Sequence, residues 1–348
     1  MNRYLLFVGQ LYDFPILRPL QAAIRARGDH AAWYLHGIDK SNLRADEEHL
    51  STVPEVKTYN PIAVYVPTNW VPDFFPGVKV EIFHGLANDA TGKKGHYRIR
   101  GLFDLYCTHA RESTLIFEQL ATRYKTFHVV ETGWPKVDPL FKDDAIDTSA
   151  YLPTNEKPVI LYASTFSPSL STAALLPETI ARLSKKGDWH WLVTLHPKMD
   201  EEIVTKYRAL AGPNLQFVES NQDLKPLLKA ADAMLCDTSS ISLEFMLLDK
   251  PVVTLRTKVP GPHVIDVQQP DEIEQALATA LKRPAELMQN TRKYMDALHF
   301  FRDGCSSERV LEATDEFIRQ YADNLKPKPL NLFRKFQIRK RMHYYQFR

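Results

Sequence analysis

Residues 159–255 alternate regularly between short apolar runs and segments with helical spacing, and this pattern constrains the fold more than any other. The apolar runs have the length of buried strands: VILYAST at 159–165, WHWLVTLHP at 189–197, LQFVES at 215–220, AMLCD at 233–237 and PVVTL at 251–255. The segments between them have the apolar spacing of helices: 171–187, 200–212, 223–231 and 240–250. Repeated strand–helix alternation predicts an α/β fold with a doubly wound parallel sheet.

The N-terminal part of the chain repeats this rhythm less clearly. An apolar run at 4–9 ends in Gly9, and a helical segment at 16–28 closes at Gly28. A helix is predicted over 111–124, and further strand-like runs lie at 30–37, 63–67, 79–85, 102–110 and 127–133. The chain has 348 residues, which suits two domains of about 150 residues each. We therefore predict two Rossmann-like domains that face a cleft.

The domain boundaries follow from composition. A polar, proline-containing stretch at 141–158 is typical of an interdomain linker. We predict an N-terminal domain at 1–145 and a C-terminal, nucleotide-binding domain at 146–300. A helical segment at 301–324 suits a crossing back to the first domain, and 325–348 is predicted to be a separate basic and aromatic tail.

Composition excludes several classes of protein. The three cysteines are far apart, which argues against a disulfide framework or a metal knuckle and favours a reducing cytoplasm. No run reaches 18 apolar residues, and no His, Asp and Glu cluster has metal-ligand spacing, so we predict neither a spanning helix nor a metal or other cofactor. Residues 326–348 carry eight cations and no acid, which leaves 36 basic against 42 acidic residues elsewhere. A body of that sign is a poor binder of nucleic acid.

A polar turn follows the predicted strand at 233–237. The sequence Cys236-Asp237-Thr238-Ser239-Ser240-Ile241-Ser242-Leu243-Glu244 places hydroxyls and an acid between a buried strand and a helix. Backbone N–H groups at a helix N-terminus and serine hydroxyls favour a phosphate. Ordinary helix capping by Asp237 or a serine is the alternative interpretation.

Two histidines end predicted strands, one in each half of the chain. His84 follows the strand KVEIF, and His196 follows WHWLVTL. Open α/β sheets bind ligands at the carboxyl ends of their strands, and an imidazole can act as a general base near neutral pH. We predict that the two face each other across the cleft, although either alone could be a structural histidine.

A basic loop follows His84. It contains Gly92 and Gly95 and four cations that could bind a phosphorylated acceptor: Lys93, Lys94, Arg98 and Arg100. A solvated charged loop is the alternative. Neither a G-x-x-x-x-G-K-[ST] loop nor a G-x-G-x-x-G motif occurs, which removes the main support for a kinase or a dehydrogenase.

Five segments, taken in order, resemble the CDP-glycerol glycerophosphotransferase family: FHG at 83–85, GWPKVDPL at 133–140, ILYASTFSPS at 160–169, LHP at 195–197 and CDTSSISLEF at 236–245. The resemblance implies the GT-B fold, with the donor CDP-glycerol held mainly by the second domain. It also implies an enzyme that transfers glycerol phosphate, or a related alcohol phosphate, to a hydroxyl of a surface-polysaccharide or lipid-linked acceptor and releases CMP.

The resemblance also implies roles for individual residues. His84 would be the base, and His196 would contact the donor pyrophosphate or stabilise the leaving group. The donor phosphates and nucleotide would be bound by Thr165, Asp237, Ser239 and Ser240, and the ribose or the glycerol end by Glu244. Thr238 stands where the family usually has Tyr. The short chain favours a single addition over polymerisation.

The basic tail interleaves aromatic residues with cations in FRKFQIRKRMHYYQF. Such a segment suits an anionic membrane surface, so residues 326–348 are predicted to hold the protein at the inner face of the cell membrane. A disordered tail or an RNA-binding tail is the alternative.

Two other functions remain open. A nucleotide-sugar glycosyltransferase or a UDP-sugar 2-epimerase-like enzyme would share the fold and the histidines at strand ends. A membrane-surface binding protein with a vestigial nucleotide site would not need them.

Overall fold

The computed structural model describes residues 1–86, 96–142, 146–220 and 223–346. Its strands, in chain order, are β1 Arg3–Val8, β2 His30–Leu35, β3 Glu48–His49, β4 Ala63–Val66, β5 Val78–Glu81, β6 Leu105–Thr108, β7 His128–Glu131, β8 Val159–Ser164, β9 His190–Leu195, β10 Leu215–Phe217, β11 Ala233–Cys236, β12 Val252–Leu255 and β13 Ile265–Val267.

The helices, again in chain order, are α1 Phe14–Ala26, α2 Val53–Tyr59, α3 Arg111–Tyr124, α4 Asp138–Phe141, α5 Pro177–Lys186, α6 Glu201–Arg208, α7 Lys225–Ala230, α8 Ile241–Met246, α9 Ile273–Leu281, α10 Ala285–Leu298, α11 Ser306–Glu316 and α12 Leu332–Arg341.

The described residues divide into two compact units. Unit 1 comprises residues 1–142 and 297–348, and unit 2 comprises residues 143–296. The chain returns to unit 1 at Ala297, within α10.

Unit 1 is built on a sheet of seven parallel strands over the described residues, in the order β3-β2-β1-β4-β5-β6-β7. β1 is buried at every residue after Arg3. Burial of consecutive residues means that both faces of the sheet are covered, which is characteristic of parallel sheets. Helices α1 and α11 pack together on this unit.

Unit 2 has a second parallel sheet, with the order β10-β9-β8-β11-β12-β13 over the described residues. β8 is buried at all six positions. Helix α5 begins at Pro177 rather than at the predicted residue 171, because proline lacks the N–H that a first-turn residue leaves unpaired. It ends at Gly187, whose φ of +81° suits a residue without a Cβ.

The C-terminal segment packs on unit 1. The side chains of Ile338 and Tyr344 are buried in the same apolar core as Phe75. Lys57 Nζ donates to Tyr344 Oη at 2.6 Å, and Lys328 pairs with Asp104 at 2.6 Å. Residues 325–346 therefore contribute to the core of unit 1 in addition to any role at a surface.

Candidate functional site

Each sheet has one position where the strand order reverses direction. In unit 2 this position lies between β8 and β11, and in unit 1 it lies between β1 and β4. Connections leave towards opposite sides at such a point, which opens a crevice outside the carboxyl ends of the two strands. These two strand ends are therefore the first places to look for a ligand.

Asp237 lies at the reversal point of unit 2, directly after β11. Its buried carboxylate accepts hydrogen bonds from the Ser164 hydroxyl and from the backbone N–H groups of Thr165 and Thr172, the latter two at 3.0 Å. Burial raises the pKa of Asp237, and the three donors oppose that rise. The side chain joins the end of β8 to the end of β11 and holds both ends of the 165–172 loop.

The other predicted donor-side residues lie near this junction in sequence. Thr165 and Ser239 are half-buried, and Ser240 is exposed. Glu244 lies in the first turn of α8 and is half-buried. Helix α8 has six residues and is shorter than the predicted 240–250. An anion bound here would be held by the hydroxyls of the turn and the backbone N–H groups of the first turn of α8.

Thr238 serves a structural purpose in unit 2. Its Oγ1 accepts a hydrogen bond from the backbone N–H of Lys258 at 2.9 Å. Thr257, next to Lys258, is held in turn by the carboxylate of Asp266 at 3.0 Å. Thr238 thus ties the turn after β11 to the turn after β12, at the position where the sequence departs from the usual pattern.

His196 follows β9 and is exposed. Its Nδ1 accepts a hydrogen bond from the backbone N–H of Lys198 at 3.1 Å. A neutral imidazole whose Nδ1 accepts must carry its proton on Nε2, so the ring presents an N–H donor. Partial burial and the neighbouring Lys198 both lower the pKa of His196, which favours this neutral form at pH 7.

Phe166 also contributes to this part of unit 2, and no role for it was predicted from the sequence. Its ring centroid lies 4.3 Å from that of His196, and Lys198 Nζ lies 5.6 Å from the Phe166 ring. Phe166 is 38% exposed and lies two residues after the buried strand β8, and a large aromatic residue in that position is the sequence signal that could have identified it.

His84 lies close to the reversal point of unit 1. Phe83 is buried with a φ of +54°, and this left-handed turn is followed by an exposed His84. The imidazole packs against Tyr12, with ring centroids 5.4 Å apart. Tyr12 follows β1, so His84 lies beside the end of one of the two strands that flank the reversal.

Asp13 is a buried acid at the same carboxyl end of the strands, and no local sequence pattern predicts its role. Its Oδ2 accepts from the backbone N–H groups of Gly9 at 2.8 Å and Gln10 at 3.0 Å. Burial raises the pKa of Asp13 to about 6, despite these two donors. The acid fixes the turn that follows β1.

The four cations of the predicted basic loop have different surroundings. Lys93 and Lys94 lie outside the described residues. Arg98 is exposed, and Arg100 is half-buried near the buried Glu81. Burial raises the pKa of Glu81 to about 8, and the charge of Arg100 opposes this rise. Arg100 therefore has a structural partner, and its assignment to a phosphate stays a prediction.

The segment GWPKVDPL at 133–140 forms hydrogen bonds with the C-terminal part of unit 1. Asp138 accepts from the backbone N–H groups of Ser306 at 2.9 Å and Ser307 at 2.7 Å, the first residues of α11. The backbone N–H of Trp134 donates to Nε2 of the buried His299 at 2.9 Å. Burial lowers the pKa of His299 to about 4, so the ring stays neutral. This motif has a structural role.

Among the residues that the structure describes, no group of three or more His, Cys, Asp or Glu side chains could hold a metal ion. In the same residues, no helix is both long enough and apolar enough to cross a membrane.

Comparison with known protein families assigns the chain to one of them. Residues 84–314 match the family described as CDP-glycerol:poly(glycerophosphate) glycerophosphotransferase. The chain belongs to this glycerophosphotransferase family. The matched region begins at His84 and includes His196, Asp237, Ser240 and Glu244. The family predicted from the five sequence motifs is thereby confirmed.

A curated relative agrees with this glycerophosphotransferase assignment. The chain is 30% identical over 165 residues to the teichoic acid glycerol-phosphate primase of Bacillus subtilis (strain 168). The match covers 47% of this chain and 42% of the primase, so it spans less than half the length of that relative.

Solved structures with the same fold include other enzymes. A variant of the wall teichoic acid polymerase TagF soaked with CDPG has a TM-score of 0.63 and 14% identity, covering 90% of this chain and 89% of that chain. The UDP-GlcNAc 2-epimerase from Neisseria meningitidis bound to UDP-GlcNAc has a TM-score of 0.61 and 15% identity, covering 91% of this chain and all of that one. At this identity the likeness concerns the fold alone. The predicted GT-B class, with two Rossmann-like parallel sheets, is confirmed.

Proposed function

We propose that this chain transfers glycerol phosphate from CDP-glycerol to a hydroxyl of an acceptor and releases CMP. The family match over residues 84–314 carries the proposal, because it contains the candidate side chains at the strand ends of both units. The acceptor oxygen attacks the β-phosphorus of the donor and forms a new P–O bond. The bond from that phosphorus to the bridging oxygen breaks, and CMP leaves.

His84 is proposed to accept the proton of the acceptor hydroxyl. The support is its exposed position at the carboxyl end of β5, beside Tyr12. A hydroxyl that loses its proton as it attacks is a better nucleophile, so a base in this position lowers the barrier.

His196 is proposed to act on the donor side. Its Nε2–H can donate to a pyrophosphate oxygen while Nδ1 accepts from Lys198. A donor aimed at the oxygen that gains charge stabilises the leaving CMP, and phosphoryl transfer depends mainly on such positioning and charge stabilisation. Protonation of Nδ1 would break the bond from Lys198, so the neutral ring suits this role.

Replacing Ser240 by alanine is expected to weaken CDP-glycerol binding about tenfold, the value of one hydrogen bond to a charged group. The Ser240 hydroxyl is exposed at the end of the turn that Asp237 begins. Ser242→Ala is the matched control, because the Ser242 hydroxyl already donates to the Ser239 carbonyl at 2.7 Å. Isothermal titration calorimetry of both variants is the measurement. Equal affinities for the two variants would contradict a phosphate-binding role for Ser240.

The reaction is tested by offering the purified chain CDP-glycerol, CDP-ribitol or UDP-GlcNAc, with and without a glycerol-phosphate-terminated acceptor. We expect release of CMP from CDP-glycerol that depends on the acceptor. An enzyme similar to the 2-epimerase is the second candidate, favoured by the shared fold. Conversion of UDP-GlcNAc without an acceptor, and no reaction of either CDP-alcohol, would support that candidate and refute the phosphotransferase.

Helix α12 is proposed to dock on an anionic membrane surface, and a lipid-linked or polysaccharide acceptor at the inner face of the cell membrane would fit this. Phe333 is 75% and Phe336 52% exposed on this helix, beside the exposed Lys340. Exposed aromatic residues among cations favour the boundary of an anionic bilayer, to which each nearby basic residue adds about 1 kcal/mol.

The double variant Phe333→Glu/Phe336→Glu is expected to reduce binding to phosphatidylglycerol vesicles more than tenfold without lowering the melting temperature. Both side chains are exposed, so the loss concerns the surface and the core stays intact. The control is Leu115→Glu/Tyr124→Glu on α3, which changes two exposed apolar residues and the net charge by the same amount. Vesicle sedimentation gives the partition. An equal loss of vesicle binding in both double variants would show that the effect comes from net charge alone. It would contradict the proposal that α12 docks on the membrane.

A further inference from the structure

Residues at the ends of three neighbouring strands of unit 1 lie close together. Gly9 follows β1, His36 follows β2, and Thr68 and Trp70 follow β4. The backbone N–H of His36 donates to the carbonyl of Val8 at 2.9 Å, which keeps the first two ends together. β1 and β4 flank the reversal of strand order, so these residues lie where open α/β sheets bind ligands.

The backbone of Gly9 lies close to two hydrogen-bond donors. A Cβ at residue 9 would lie 3.8 Å from Thr68 Oγ1 and 3.8 Å from Trp70 Nε1. The φ of Gly9 is outside the left-handed region, so the backbone does not require glycine here. A methyl group at residue 9 would therefore be in van der Waals contact with both donors and would compete with a ligand for them.

Both donors lack a partner among the described residues. Thr68 is 93% buried, since 7% of it is exposed, and its Oγ1 makes no hydrogen bond. The indole N–H of Trp70 can only donate, and no acceptor for it occurs in the part of the chain that the structure describes. A buried hydroxyl without a partner costs free energy, which a ligand oxygen would recover.

A cation from the C-terminal helix completes the arrangement. Arg341, the last residue of α12, places its guanidinium carbon 4.8 Å from the centre of the Trp70 ring. Within the described residues it has no carboxylate partner, and it is exposed. The ring of His36 packs against Trp70 at 5.2 Å, and burial, followed by the charges of Arg341 and His343, lowers the pKa of His36.

We propose that Thr68, Trp70 and Arg341 form a binding site for a phosphate ester, namely the phosphate nearest the reacting hydroxyl of the acceptor. The inference rests on the proposed function for the identity of that acceptor. Two neutral donors and a guanidinium suit the oxygens of a phosphate, which accept several hydrogen bonds at once. Tyr12, which contacts His84, follows the same strand as Gly9. The site therefore lies at the same carboxyl end of the strands as His84, the proposed base.

This site exists only while the C-terminal segment is docked. Tyr344 and Ile338 anchor that segment in the core of unit 1, and Arg339 pairs with Asp73 at 3.1 Å. The segment predicted to be a surface tail therefore supplies a ligand-binding side chain.

The test uses the full chain and two probes, sn-glycerol 3-phosphate and inorganic phosphate, in titration calorimetry without nucleotide. Arg341→Gln and Gly9→Ala are each expected to weaken binding of glycerol 3-phosphate about tenfold or more, because one removes the cation and the other places a methyl group against both donors. The matched controls are Lys340→Gln, the exposed neighbour on α12, and Gly212→Ala, whose added Cβ meets only a carbonyl at 3.9 Å. Both controls should bind within twofold of the parent.

The outcomes separate this site from the donor reaction. Unchanged glycerol 3-phosphate affinity in Arg341→Gln and Gly9→Ala, with unchanged melting temperatures, overturns the proposal, as does a parent chain that binds neither probe. Inorganic phosphate bound more tightly than the ester would overturn the assignment to an acceptor. CDP-glycerol affinity, measured on the same variants, should stay at the parental value. A parent that does not bind CDP-glycerol but loses the ester with Arg341→Gln would refute the proposed donor and support the site.

Discussion

Replacement of His84 by glutamine is expected to lower kcat about a thousandfold, within the range that a general base contributes. Glutamine keeps a hydrogen-bonding side chain at the end of β5 but cannot take a proton at neutral pH. The loss should appear in kcat, while the dissociation constant of CDP-glycerol stays near its parental value, because His84 is proposed to act on the acceptor. Single-turnover release of CMP at saturating acceptor measures the effect.

His30→Gln is the control for this variant. His30 is also an exposed histidine of unit 1, but it begins β2. It therefore lies at the amino end of the parallel strands, whereas His84 lies at the carboxyl end. It should keep the parental kcat. A His84→Gln enzyme with more than a tenth of the parental kcat would show that another group takes the proton.

Replacement of Gly133 by alanine is expected to lower the free energy of unfolding of unit 1 by about 2–5 kcal/mol, from overpacking of about 1–3 kcal/mol and a left-handed backbone cost of about 1–2 kcal/mol. Gly133 has a φ of +82°, and an added Cβ would lie 2.6 Å from Ser306 Oγ and 3.2 Å from His299 Nε2. The side chains in the way belong to the C-terminal part of unit 1, so the substitution should loosen its attachment. Urea unfolding followed by circular dichroism gives the midpoint and slope.

Gly28→Ala separates the two causes. Gly28 has a comparable φ of +74°, but no heavy atom lies within 4 Å of its added Cβ. It should therefore show only the backbone cost, about 1–2 kcal/mol. A similar loss in both variants would mean that the contacts with Ser306 and His299 add nothing to the stability of unit 1.

Much of the secondary structure was predictable from local pattern. Continuous apolar runs such as 159–165 correspond to strands because a parallel strand is covered on both faces and keeps few polar residues. The helices between the strands of unit 2 were also predicted, with ends that shifted by several residues where proline or glycine decides the boundary. Helices α2, α4, α9, α10 and α12 were missed. Helix α12 buries only Ile338 and Arg339, so its apolar spacing is too sparse to identify.

The residues of the candidate site also divide into those proposed from the sequence and those seen only in the structure. His84, His196 and the 237–240 turn were chosen as candidates from the sequence because residues that follow buried strands are visible in a single sequence, and their roles stay predictions. Asp13, Phe166 and Arg341 were not found, since nothing local distinguishes a buried acid, a half-exposed aromatic or one cation in a basic tail. The structure also shows a structural role for GWPKVDPL that the sequence did not predict, because Gly133 and Asp138 contact residues more than 160 positions away.

The amino-acid sequence by itself determined the α/β class, the strands and the family, because these depend on periodicity and motifs within a few residues of each other. Only the tertiary structure decided which strand ends meet at each reversal point, which ring nitrogen of His196 carries the proton, and that the basic tail returns to unit 1 and places Arg341 over the ring of Trp70. These features depend on pairing between distant segments. That pairing is set by the burial of the whole core, which local residue patterns do not contain.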